Sequence, residues 1–356
     1  MKFPTKLISA LSISLAASLT FAQANIEPVN ELPNPYQIIT GFFNMPAGRE
    51  WGASSSIDVD PDGKSIWIAE RCESDSIRGG YPIRGCAESN LPVVLKFNSD
   101  GEMVRSFGGG IFAVPHGFHV DDSGNIWVTD APFTLPPGTE GKGHVVVKFS
   151  PQGDRLLTLG TPGVTGTDEN HFNMPSDIHV APNGDIFVAD GHGGDSNGRI
   201  VKFDSQGNYL MAWGEPGSGP GEFDAPHGLA MDSQGRLFVS DRGNNRIQIF
   251  DQQGNLLDTW HQFSRNSGIY IDDKDMLFAV DSESNESRGR GDWRRGIRVG
   301  SARTGEVHFF IPDPFDANNG PYAASSGGEG IVADKDGIIY SAEVGPRSIK
   351  RYFRFE

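Results

Sequence analysis

The chain has 356 residues, of which 46 are acidic and 30 basic, for a formal net charge of -16. A surface this acidic repels nucleic acid and anionic lipid, so neither is expected as a partner. The 46 glycines and 23 prolines fall at recurring offsets between apolar runs, which marks them as turns and not as disorder.

Residues 1–24 carry Lys2 and Lys6, an apolar run from Leu7 to Phe21 and then Ala22-Gln-Ala24, the pattern of a secretory signal peptide. The chain is therefore expected to be exported, to a periplasm or outside the cell. After it, no segment approaches eighteen consecutive apolar residues, so a membrane-embedded helix is not expected. Residues 25–35 read as an irregular lead-in, and 36–356 as one domain. That domain opens on a lone strand, Tyr36-Gln-Ile-Ile-Thr-Gly-Phe-Phe43.

Six copies of one pattern follow: a small residue, an apolar strand, a turn built on Gly, Asp or Asn, a second apolar strand and an acidic residue. Their first apolar residues are Ile57, Phe118, Ile178, Leu229, Ile269 and Ile331, and their second strands end at Glu70, Asp130, Asp190, Asp241, Asp281 and Glu343. Residues 224–260 hold the most compact copy. There Arg246-Ile-Gln-Ile-Phe and Leu256-Leu-Asp-Thr-Trp add a third and a fourth strand, a meander of about forty residues and so one propeller blade. The longer copies carry insertions at residues 72–90, 134–142, 161–171, 192–197 and 283–295, placed where they cover one face of a disc. The sixth copy ends on its third strand, Lys350 to Phe355. Tyr36 to Phe43 is expected to supply the fourth, closing an all-β, six-bladed propeller and removing its open sheet edges. Cys72 and Cys86, the only two cysteines, share one Gly-rich loop; in an exported protein they are expected to form a disulfide, with unlinked thiols as the alternative.

The residue before each innermost strand sits at the mouth of the central channel. In blades one to six it is Ser55, His116, Ser176, His227, Ser267 and Glu329. The two histidines and the glutamate fall on alternate blades, about 120° apart in a six-fold ring, and so converge on the axis. Two imidazoles and a carboxylate with an open position are a zinc-type set. The alternative is that each histidine only ties a turn.

A second ring follows the acidic ends, and Arg71 and Arg242 are its charged members. They are suited to clamping a carboxylate, or else to pairing with acids such as Glu70 and Asp241. His192 stands one position beyond this ring as a candidate general base. His171 is a weaker candidate for the same role, with capping of its inter-blade loop as the alternative, and His119 and His179 read as structural. Asp-rich stretches at 58–62 and 272–275 read as hairpin turns and not as calcium loops.

These residues resemble a known family. Asp224 to Phe250 looks like an NHL repeat. The stretch Gly166-Thr-Asp-Glu-Asn-His-Phe-Asn-Met-Pro-Ser-Asp-Ile, with Pro226-His-Gly-Leu and Val239-Ser-Asp-Arg-Gly-Asn-Asn-Arg-Ile-Gln, resembles the peptidyl-α-hydroxyglycine α-amidating lyases. The resemblance implies a metal-dependent carbon–nitrogen lyase that splits a peptide-like carbinolamide into an amide and glyoxylate, with zinc or another divalent transition metal as cofactor. Carried over by position, two zinc histidines match His116 and His227, the third falls on Glu329, and the arginines match Arg71 and Arg242. The family's tyrosine falls on His192, and the aspartate of its axial calcium falls on Gly330, so calcium stays a possible second ion that would lack one of the family's ligands. Two other classes stay open: a non-catalytic propeller that binds a peptide, glycan or protein partner, and a propeller hydrolase such as a lactonase. The oligomeric state is left open.

Overall fold

The computed structural model describes residues 27–72, 77–78, 81–82, 85–289, 291–320 and 327–355. The expected leader, residues 1–24, lies outside them. Among the described residues no helix is long and apolar enough to cross a membrane.

Six four-stranded antiparallel sheets make the six blades of a propeller. Their innermost strands are Ser56–Val59, Pro115–Val120, Pro175–Val180, Pro226–Met231, Asn266–Ile271 and Gly328–Ala333, and these touch one another in ring order. Each strand begins where the sequence turns apolar after a Pro, Ser, Asn or Gly, and each turns back at an Asp- or Asn-containing hairpin. In blade four, Asp232 Oδ1 accepts the backbone N–H groups of Gln234 and Arg236, which ties the two-strand turn.

Ring closure uses the N-terminal strand. Tyr36–Ile39 pairs antiparallel with Ser348–Arg354, with Tyr36 opposite Arg354, so the last blade is completed from the start of the chain. The paired segment is shorter than Tyr36 to Phe43; Phe43 instead inserts into the core between blades one and six.

The cores lie at the blade interfaces. Trp67 and Val94 of blade one pack with Phe118, Val128 and Phe149 of blade two. Trp127 and Val146 of blade two pack with Ile178, Ile186 and Val188 of blade three. The pattern continues around the ring to Ile57, Ile66 and Leu95 of blade one against Val332 and Tyr340 of blade six. Strand alternation explains this: one face of each strand serves the blade before it and the other the blade after, so the runs are apolar on both faces.

The acidic ends of the second strands hold the architecture together. Asp130 is fully buried and accepts N–H bonds from Ala113 and Val114, at 2.8 and 2.6 Å. Asp190 accepts from Asn173, and Asp241 from Asp224, each at 2.8 Å. Each carboxylate thus ties the loop that enters its own blade.

Cys72 and Cys86 form a disulfide, and both are buried in the core between blades one and two. It closes a loop of about 15 residues, which loop-closure entropy values at about 3 kcal/mol. A Cys72→Ser/Cys86→Ser variant is expected to lose about that much unfolding free energy in denaturant titration. An unchanged midpoint would show that the bridge contributes nothing to the folded state.

Candidate metal centre

A local irregularity aims the mouth residues. The pairing of the first two strands shifts register between Pro115 and Phe118 in blade two and between Pro226 and Gly228 in blade four. A bulge at that point inserts an extra residue and re-aims its side chain, here His116 and His227. The same shift recurs at Pro175/Asp177, Asn266/Gly268 and Gly328/Gly330. Gly117 then allows close approach: a Cβ there would lie 2.4 Å from the Ser176 carbonyl oxygen of the next blade.

Across that contact His116 Nδ1 donates to the Ser176 carbonyl at 2.7 Å. His227 Nδ1 likewise donates to the Ser267 carbonyl at 3.1 Å. A carbonyl only accepts, so both rings carry their proton on Nδ1 and present the Nε2 lone pair.

The third imidazole arrives by another route. Blade three's second strand ends at Asp190, and Gly191 follows with φ of 145°. A Cβ at Gly191 would lie 1.5 Å from the Asn197 carbonyl oxygen, so only glycine lets the loop fold back this tightly. Ser196 Oγ accepts the His192 backbone N–H at 2.7 Å and fixes the turn.

His192 is thereby brought to His116 and His227. Its Nε2 lies 3.0 Å from His227 Nε2. The three ring centroids are 4.6, 4.7 and 4.8 Å apart, and one nitrogen from each ring lies within 4.8 Å of the others. All three are buried. The ring of Phe133 meets His192 edge to face at 4.8 Å.

Burial drives all three imidazoles well below their ordinary pKa; the Arg242 guanidinium pushes all three the same way, and that of Arg71 does so for His116 and His192. They are neutral at pH 7, the form a metal requires. His116 Nε2 and His192 Nδ1 are buried without a hydrogen-bond partner among the described residues. Ligand nitrogens around tetrahedral zinc at about 2.0–2.1 Å stand about 3.3 Å from one another, close to the His192–His227 separation. Neutral rings, with the Nε2 lone pairs of His116 and His227 turned inward by their carbonyl partners, fit a divalent transition metal. Metal held at pH 7 is expected to stay bound as the pH falls through 6.5, because these rings take up protons only well below that value. Metal retained after dialysis at stepped pH checks this, and release beginning above 6.5 would contradict it.

Glu329, which the sequence places in the metal set, lies against two guanidiniums. Its Oε2 lies 3.6 Å from Arg71 Nη2 and its Oε1 3.7 Å from Arg242 Nη1, with all three side chains buried. Arg71 is anchored by Ser55 Oγ at 2.7 Å and by the Pro115 carbonyl at 3.2 Å. Glu70 and Asp241, the other expected partners of the arginines, pair with Arg49 and Arg246. Glu283, 4.0 Å from Arg242, also meets Arg265 and Arg288 at 2.9 and 3.1 Å. Burial alone would raise its carboxyl pKa; Arg242, Arg265 and Arg288 hold it down to about 2.

The structure therefore gathers His116, His227 and His192, and gathers Arg71 and Arg242 around Glu329. The repeat pattern did not single out Glu283 and Ser196, which belong to insertions whose reach no repeat encodes, or Phe133, which stands just before one. His171 caps its own loop through Asp168 at 2.8 Å. His119 and His179 meet with ring centroids 4.6 Å apart and planes tilted by 43°, and His119 meets Asp58 at 3.2 Å beside a cavity of about 520 Å³. Asp272 accepts the N–H groups of Lys274 and Met276, as a hairpin turn requires.

Residues 223–250 match the NHL repeat model. NHL repeat-containing protein 3 of Homo sapiens is 37% identical over 48% of this chain and 48% of its own length. The Caenorhabditis elegans protein named "Probable peptidyl-alpha-hydroxyglycine alpha-amidating lyase pgal-1" is 36% identical over 44% of this chain and 42% of its own. The chain spans about half the length of each of these two relatives. A Xanthomonas campestris gluconolactonase structure covers 89% of both chains with a TM-score of 0.57 at 16% identity, a likeness of fold alone.

Proposed function

We propose, from the premise that the chain is an NHL-type six-bladed propeller with relatives named as amidating lyases, that it is a metal-dependent carbon–nitrogen lyase. The substrate class is a peptide-like carbinolamide, in which one carbon bears both a hydroxyl and an amide nitrogen. The C–N bond breaks, the hydroxyl loses its proton and the carbon becomes an aldehyde. The amide nitrogen takes a proton and leaves as a primary amide, with no change of oxidation state overall. The single observation that carries the reading is the convergence of three buried imidazoles, His116, His192 and His227, at the channel mouth.

In this reading His192 is the third ligand in place of Glu329, and the proton-transfer role the sequence suggested for His192 is set aside. A bound zinc or similar divalent ion would supply Lewis acidity toward the hydroxyl oxygen. The protein's own contributions are positional and electrostatic. The Ser176 and Ser267 carbonyls hold two imidazoles in their metal-binding tautomer, and burial excludes water. Arg71 and Arg242, which flank Glu329, shape the electrostatics of the mouth.

The test is metal analysis of the purified protein together with aldehyde release from carbinolamide substrates. Stoichiometric metal with aldehyde release supports the lyase. Absence of both would sink it and favour a propeller that binds a partner without chemistry. Export belongs to this proposal too: the buried Cys72–Cys86 disulfide supports an oxidising compartment.

A further inference from the structure

We infer that Glu329 is a built-in carboxylate that occupies the arginine pair, so that the site selects substrates whose carbinol carbon carries a neutral substituent in place of a free carboxylate; for substrate choice this rests on the lyase reading. Arg71 and Arg242 are the guanidiniums at the mouth, set by the same ring position on blades one and four. They are suited to hold a carboxylate that a substrate brings. In this chain a carboxylate of the protein already sits between them.

Each guanidinium faces a different oxygen of Glu329, at 3.6 and 3.7 Å, so the one side chain is shared by both. Its exposure is 1%, so the carboxylate is held away from solvent. Two features fix it there. Glu329 sits at the register shift between Gly328 and Gly330, which re-aims its side chain. At Gly268 of blade five a Cβ would come 2.2 Å from the Glu329 carbonyl oxygen, so the two innermost strands press together at that residue.

Arg242 is further committed by Glu283 at 4.0 Å. A substrate carboxylate entering the pair would be pressed against the Glu329 charge in a buried, weakly screened setting, where like charges repel strongly. A neutral group in the same place meets no such penalty.

The experiment measures glyoxylate binding by calorimetry to the metal-loaded wild-type protein, to Glu329→Gln and to Arg242→Ala/Glu329→Gln. Gln keeps the shape of Glu329 and removes its charge. Glu329→Gln is expected to bind glyoxylate at least about tenfold more tightly than wild type, and the double variant is expected to lose that gain. Loss of the gain separates arginine binding from direct coordination of glyoxylate by the metal. Equal affinity of wild type and Glu329→Gln, or a gain that survives Arg242→Ala, would overturn the inference.

A second arm compares turnover of an N-(1-hydroxyethyl) amide, which releases acetaldehyde, with that of a peptidyl α-hydroxyglycine. Wild type is expected to prefer the neutral substrate and Glu329→Gln to shift toward the carboxylated one; a wild-type preference for the carboxylated substrate overturns the selectivity while leaving the lyase standing. Turnover of neither substrate fails the lyase reading instead, and calorimetry then still decides what Glu329 does.

Discussion

Replacing His227 with Ala is expected to abolish stoichiometric metal binding and to lower lyase kcat/KM by at least about 100-fold. Loss of groups that merely orient a metal ligand costs 10–100-fold in affinity or activity, and His227 is placed as a ligand itself. Its ring contacts both partners, with Nε2 3.0 Å from His192 Nε2 and its centroid 4.7 Å from that of His116. The fold should survive. The substitution removes one hydrogen bond to the Ser267 carbonyl, a loss of about 1–3 kcal/mol for a group left buried and unpaired. Metal content, kinetics and a thermal melt on the same preparation separate the outcomes. A folded His227→Ala protein that keeps its metal would show that the triad is not the site.

The second large effect separates the two possible third ligands. His192→Ala is expected to lose metal about as severely as His227→Ala, whereas Glu329→Gln is expected to retain it. The contrast follows from where the side chains lie: the His192 ring is 4.6 Å from His116, while the Glu329 carboxylate lies between two guanidiniums. An ammonium or guanidinium beside a carboxylate competes directly with a cation for its lone pairs. Equilibrium dialysis against limiting zinc measures both variants, and metal loss in Glu329→Gln but not in His192→Ala would reverse the assignment.

Much of the fold was legible because its information is local. Each blade repeats apolar strands at fixed spacing around an Asp or Asn turn, and Asp232, Asp272 and their counterparts form the expected turn hydrogen bonds. The missing fourth strand of the last copy was equally readable, since an unpaired edge at Ser348–Arg354 demands a partner and Tyr36–Ile39 is available. His116 and His227 were found by ring position, because a bulge places the residue after Pro115 and the one after Pro226 identically.

The third imidazole was not legible as a member of that set. His192 hangs from an insertion, and its reach depends on the positive φ of Gly191 and on the contact with Asn197, which have no counterpart in the repeat period. Glu329 shows the converse. Its ring position was read correctly, but a position in the ring does not say whether the side chain meets an imidazole or a guanidinium. That depends on Arg71 and Arg242, which follow the second strands of blades one and four, far from Glu329 in sequence.

The most direct measurement is an anomalous-difference map from crystals of the zinc-loaded protein, collected at the zinc absorption edge. The account predicts one strong peak at the channel mouth within bonding distance of nitrogens from His116, His192 and His227. A peak bound to Glu329 without His192, or no peak at the mouth of a catalytically active protein, would contradict it.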